Sequence, residues 1–177
     1  MQWAPKMIDG KNYHSANGIN TDYLRPMPKN EFTPRNPNFR ETIIGHLEHQ
    51  HFMMHIGCQL TVIEPGYVEA VIELGAIHQQ QIGLVHGGVT ATIADVAAGF
   101  AGFTLVAADE HTVTAEIKIS YLRKGRGSKL LAVGRVVKAG SAFHFCEADV
   151  FCYDDDNNKM LIAKATTTMA VIKVPSV

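Results

Sequence analysis

The sequence predicts an α+β protein in which a long antiparallel β-sheet wraps one central buried helix. Three observations predict it. The stretch from Gly88 to about Ala107 is almost wholly Ala, Val, Thr, Ile, Gly and Phe. It is too short and small-sided for a membrane span and fits a helix buried on nearly all sides. Four long segments with strand periodicity follow it. Short turn-forming stretches separate them, which predicts hairpin connections and antiparallel pairing.

The elements read in order as follows. Residues 1–37 hold five of the chain's seven prolines and many polar residues. They predict an irregular N-terminal arm with Trp3, Tyr13, Tyr23, Leu24 and Phe32 as anchors. Residues 38–177 form the folded domain. From Asn38 to about His55, the residues Ile43, Ile44, Leu47, Phe52 and Met53 give helical spacing, and Gly57 ends it. Residues 59–74 read as two strands about the Pro65-Gly66 turn, with Val68, Ala70, Ile72 and Leu74 on one face. A loop, 75–85, leads into the buried helix. The later strands are 111–123, 129–138, 142–153 and 160–172. In the first, Val113, Ala115, Ile117, Ile119 and Tyr121 alternate with Thr114, Glu116, Lys118 and Ser120.

Composition narrows the function. The chain has 177 residues, 46% hydrophobic and 19% charged, with a net charge of −1. That is enough chain to bury a core, and it offers no basic surface for nucleic acid. No apolar run reaches membrane-spanning length, and the segment Met1–Lys6 opens no secretory signal. Cys58, Cys146 and Cys152 are an odd, unclustered set that reads as reduced thiols in a cytoplasmic protein. His51 and His55 stand at i, i+4 near His46 and His49, but no His-Glu-x-x-His pattern accompanies them, so no metal site is expected. Ser120 and Ser141 lack a nucleophile elbow.

The most informative stretch runs from Ile82 to Asp95. His86-Gly87-Gly88 opens the helix, where unpaired N–H groups suit developing negative charge. Asp95 then places a carboxylate in apolar surroundings, which is costly without a partner or a task. The element order, one buried helix wrapped by a long antiparallel sheet, is that of the hotdog fold. Within it, Gly83-x-x-His86-Gly87-Gly88 followed by Asp95 seven residues after Gly88 resembles the hotdog acyl-CoA thioesterases of the phenylacetate-degradation (PaaI-like) type. The resemblance covers roughly residues 48–172 and includes the strand Thr114–Arg123.

The resemblance implies hydrolysis of a fatty or aromatic acyl-CoA by a homo-oligomer, a dimer or dimer of dimers. No cofactor is implied, because coenzyme A belongs to the substrate. Asp95 would be the nucleophile or the base that activates water. The Gly87 N–H would polarise the thioester carbonyl with help from Gly88, His86 would help hold the site, and Thr114 would orient water. The family usually carries Asn six residues before the His, where this chain has Gln80. The longer amide would shift substrate preference or lower activity, since small displacements are costly in a preorganised site.

Spacing adds a constraint. Asp95 lies seven residues beyond Gly88, about 10 Å along one helix. One carbonyl cannot meet both in a single chain, so the two are expected to meet across a dimer interface. Val85 and Gly88 would line the substrate path. Arg123, Lys124 and Arg126, near Lys129, would meet the phosphates of coenzyme A at its rim. Two alternatives remain open: a non-catalytic acyl-CoA-binding hotdog protein, and an acyl-thioester hydratase or dehydratase. Asp95 favours hydrolysis over both.

Overall fold

Helix α3, Gly87–Phe103, is the axis of the fold. A computed structural model describes residues 32–174. The predicted arm lies outside the described residues except for 32–37. Those six residues join the domain: Arg35 donates to the Leu105 carbonyl at 3.2 Å and pairs with Glu110.

Alanines let the sheet close on α3. Ala94, Ala97, Ala98 and Ala101 have no exposed surface. The closest approach is at Gly134, where a Cβ would stand 2.2 Å from the carbonyl of Ala97. Helix backbone cannot yield there without displacing α3. Gly134→Ala is therefore expected to lose at least about 3 kcal/mol of stability, the upper end for overpacking, measured by denaturant unfolding. A variant as stable as the parent would show that the sheet and helix separate easily.

Six strands surround the helix: β1 (Gln59–Glu64), β2 (Tyr67–Glu73), β3 (Glu110–Tyr121), β4 (Lys129–Ala139), β5 (Phe143–Tyr153) and β6 (Lys159–Lys173). Their order is β1-β2-β4-β5-β6-β3, antiparallel throughout. Hairpins join β4 to β5 and β5 to β6 as predicted, but β3 does not form one with β4. It pairs with β6 at the far edge. The chain after β3 crosses beneath the start of α3, where the Val85 N–H donates to the Gly125 carbonyl at 2.9 Å. Placing β2 and β4 on one side of the helix and β6 and β3 on the other lets the sheet curl around it.

Two further differences concern local geometry. The single predicted helix over 38–55 is split into α1 (Phe39–Glu48) and α2 (His51–His55). The His49 and Gln50 N–H groups bond three residues back, to His46 and Leu47, and this tighter turn ends α1. In β3, a bulge at Ala115 shifts the register between Thr114 and Glu116. The strict alternation expected from Val113 to Tyr121 is therefore broken. Before the bulge the even residues Thr112 and Thr114 face α3; after it the odd residue Tyr121 does.

Two side chains, Thr104 at the C-cap of α3 and His144 of β5, complete the far end of the helix. Thr104 accepts from the Gly66 N–H and donates to the Ala101 carbonyl, both at 2.7 Å. His144 Nδ1–H donates to the Gly102 carbonyl at 3.0 Å. The Thr104 hydroxyl thus satisfies the Ala101 carbonyl, and His144 adds a second donor to the Gly102 carbonyl, which already accepts from the Leu105 N–H at 3.1 Å. Burial pushes the Cys58 and Cys146 thiols up to about 12, which keeps both as unreactive packing groups.

Candidate active site

The start of α3 is shaped by the loop before it. Residues 76–78 form a 3-10 turn, and the Gly83 N–H donates to the Gln80 carbonyl at 2.9 Å. Gly83 has φ of 72°, a left-handed conformation that glycine adopts without strain. The loop is tied down by buried His78. Its Nδ1 accepts from the Gly75 N–H at 2.8 Å, so Nε2–H donates to the Ile56 carbonyl at 3.0 Å.

His86 is the N-cap of α3. Its Nδ1 accepts from the Gly88 N–H at 2.9 Å, which commits that amide within the chain. The Gly87 N–H has no hydrogen-bond partner among the described residues. Tyr121 supports this glycine from β3: its hydroxyl donates to the Gly87 carbonyl at 2.9 Å, and its ring borders the Cα.

This end of α3 opens on a cleft of about 630 Å³. Gln80, Val85, Gly87, Gly88, Tyr121, Arg123 and Lys124 are in its wall. The cleft thus brings together Gly87 and Gln80 with Val85, Gly88, Arg123 and Lys124, while two other residues predicted for the site are not in its wall. Arg126 stands outside the lining and approaches Gly83 instead. His86 is exposed and holds the turn rather than lining the cleft.

Asp95 sits elsewhere, in a second cleft of about 130 Å³ between α3 and β3. Thr114 Oγ1 donates to Asp95 Oδ1 at 2.8 Å. Burial pushes the Asp95 carboxyl above the usual carboxylate range, and the Thr114 hydrogen bond pulls it partly back. Gln50, Phe100 and Phe103 also line this cleft. The two clefts share no residue. Gly87 and Asp95 are eight residues apart on one helix, about 12 Å at 1.5 Å per residue.

Sequence reasoning did not single out Gln50, which lines the Asp95 cleft, or Tyr121, which lines the Gly87 cleft. Gln50 lies between two helices read as one, and the bulge at Ala115 that brings Tyr121 back toward α3 has no sequence signal. The histidine-rich segment holds no metal arrangement: among the described residues, no three His, Cys, Asp or Glu side chains are grouped to bind an ion. No helix among them is long and apolar enough to cross a membrane.

A six-stranded antiparallel sheet curled around one helix, with an acid midway along it and a glycine amide at its start, defines a hotdog protein. The family model described as Thioesterase superfamily matches residues 82–158 of the chain. It is similar to a thioesterase family protein from Silicibacter pomeroyi, with 25% identity and a TM-score of 0.75 over 77% of this chain and 99% of that one. A thioesterase from Haemophilus influenzae shares the fold at 21% identity and a TM-score of 0.66, over 75% and 90% of the two chains. In sequence it is 31% identical over 101 residues to the medium/long-chain acyl-CoA thioesterase YigI of Salmonella typhimurium, covering 50% of this chain and 63% of that one. It is 24% identical over 115 residues to the proofreading thioesterase EntH of Klebsiella pneumoniae, over 65% and 82%.

Proposed function

We propose that the protein hydrolyses acyl-CoA thioesters at composite sites, each built from the Gly87 cleft of one copy and the Asp95 cleft of another. The observation that carries this reading is the division of the machinery. The uncommitted Gly87 amide and the Arg123 and Lys124 cations stand in one cleft; the carboxylate stands in a separate one.

The chemistry divides the same way. A helix-start N–H needs no reorganisation to stabilise a tetrahedral oxyanion, and removing such a donor costs about 10²–10³ in kcat. Asp95 acts as nucleophile or as the base for water, and Thr114 holds its carboxylate. Arg123 and Lys124 suit the phosphates of coenzyme A. The Gln80 amide, in the Gly87 cleft, orients the thioester. Hydrolysis leaves a free acid and coenzyme A.

Several features support a second copy as the missing half. β3 is an edge strand, bonded only to β6. Val113 is 43% exposed, Tyr121 55% and Leu122 48%. An open strand edge bearing apolar side chains is a template for pairing with another chain. The helix itself keeps a half-buried stripe, Ala91, Thr92, Asp95 and Gly99, where the sequence predicts burial on nearly all sides. We assign that stripe and edge to a two-fold dimer; a dimer of dimers is the proposed assembly, and the cytoplasm the proposed location.

Thiol release from an acyl-CoA panel, followed against pH for the parent and Thr114→Val, tests the reading. The parent should hydrolyse at least one acyl-CoA, with an acid limb in kcat/KM above the usual carboxylate range, because the reactive carboxyl must lose its proton. Thr114→Val removes the one bond that lowers the Asp95 pKa, so its limb should move to higher pH. No thiol release from any acyl-CoA by the folded parent would overturn the proposal.

A further inference from the structure

We infer that Tyr121 is a positioning residue for hydrolysis: together with His86 it clamps the Gly87–Gly88 peptide at both ends and thereby aims the Gly87 N–H at the substrate carbonyl. The inference rests on the hydrolase reading and adds a residue that acts through the Gly87 amide.

Two hydrogen bonds meet on one peptide group, whose opposite ends are the Gly87 carbonyl and the Gly88 N–H. Tyr121 Oη–H donates to the carbonyl at 2.9 Å, and the N–H donates to His86 Nδ1 at 2.9 Å. Each bond polarises the peptide in the direction that strengthens the other. The peptide before it is held differently: the His86 carbonyl accepts from the Val89 N–H at 3.0 Å and the Thr90 N–H at 3.2 Å. Gly87 is the joint between these two peptides, so the direction of its N–H is settled only when both are fixed.

The sequence makes such a clamp necessary. Gly87 and Gly88 carry no side chain to pack, and glycine loses the most conformational freedom on ordering. The chain on either side is already tied. The His86 N–H donates to the His78 carbonyl at 2.8 Å, and Thr90 is buried. Tyr121 comes from an equally fixed backbone. It pairs with Ala163 of β6, and the next two N–H groups, Leu122 and Arg123, donate to the Ile162 carbonyl at 2.8 and 3.2 Å. Its hydroxyl and ring would stand 3.5–3.6 Å from a Cβ on Gly87, so the phenol packs directly against this glycine. Burial does not compel the bond, since Tyr121 is 55% exposed and its hydroxyl could meet water. The consequence of the bond therefore lies in geometry more than in stability. In a preorganised site a shift of about 1 Å costs about 10²-fold.

Tyr121→Phe keeps the ring and deletes the hydroxyl. It should lower kcat about tenfold with KM near the parent's value, because the Gly87 donor acts on the transition state. Its Tm should stay within about 3 °C of the parent's, which a structural residue would not allow at the same loss of rate. Hydrogen exchange of residues 84–91, read by mass spectrometry, should quicken. His86→Asn keeps a cap acceptor for the helix start and His86→Ala does not, so Asn should retain about tenfold more kcat than Ala. Tyr121→Phe combined with His86→Ala should be about as slow as the slower single variant, because both release the same peptide. Parent kcat in Tyr121→Phe, a rise in KM alone, or losses that multiply in the double variant would overturn the inference. If the parent releases no thiol yet Tyr121→Phe quickens exchange of residues 84–91, the peptide clamp stands and the hydrolase reading falls. No thiol release and unchanged exchange would remove both.

Discussion

Asp95→Asn is expected to abolish hydrolysis, lowering kcat by about 10³-fold or more, while the folded protein melts at a higher temperature than its parent. The two effects share one cause. Asp95 is a carboxylate held in partly apolar surroundings, supported by a single hydrogen bond from Thr114. Burial raises its folded-state pKa above that of the unfolded chain, so the folded protein holds the proton to higher pH. Stability is then greatest below the unfolded pKa and falls as pH rises through the window between the two values. At neutral pH the fold carries a half-buried charge. Asn keeps the shape and can accept from Thr114 through its amide oxygen, but it has no charge to desolvate. Activity measured by thiol release and Tm measured by calorimetry should therefore move in opposite directions, the usual trade-off at a reactive group. Loss of activity with a lower Tm would instead make Asp95 a structural residue, and retained activity would remove it from the chemistry.

What the sequence discloses, and what it hides, follows from which signals are local. The strands were legible because their apolar residues recur every second position: Val68, Ala70 and Ile72 of β2 all point inward with no exposed surface. The central helix was legible because a run of Ala and Gly has no use except close packing, and Gly134 against Ala97 shows how close. The place of β3 was not legible. A short connection normally makes a hairpin, and only the need to cover α3 from both sides sends β3 to the far edge.

The candidate site divides along the same line. His86, Gly87, Gly88 and Asp95 lie in one contiguous stretch, so their spacing carries information. Thr114 and Tyr121 both reach α3 from β3, yet they sit an odd number of residues apart and should face opposite sides of a regular strand. The bulge at Ala115 reverses the phase between them, sending Thr114 to Asp95 and Tyr121 to Gly87. Nothing in the residues Thr114-Ala115-Glu116 marks it, because a bulge is settled by pairing with β6. Committing the Gly88 amide to His86 is likewise a matter of one side-chain rotamer, which spacing cannot show.

Mixed dimers provide the largest effect and the one most particular to a divided site. Gly87 is the first residue of α3, and His86 before it has φ −67° and ψ 134°. Proline is favoured at a first helical position and requires an extended residue before it, so Gly87→Pro deletes the N–H while the local backbone is already suited to it. Alone, Gly87→Pro should lose about 10²–10³ in kcat, and Asp95→Asn should be at least as inactive. In a dimer of one Asp95→Asn copy and one Gly87→Pro copy, one composite site combines the intact amide of the first with the intact carboxylate of the second. The other site combines both lesions. Such a heterodimer, purified through two different affinity tags, should recover close to half the parent's kcat per dimer, with KM near the parent's value. If each copy instead carried a complete site, every site in the heterodimer would hold a lesion and no recovery would occur. Recovery therefore separates a composite site from two independent ones without reference to the identity of the acyl group. A heterodimer verified as intact and found as inactive as its two parent variants would overturn the assignment of Gly87 and Asp95 to opposite halves of one site.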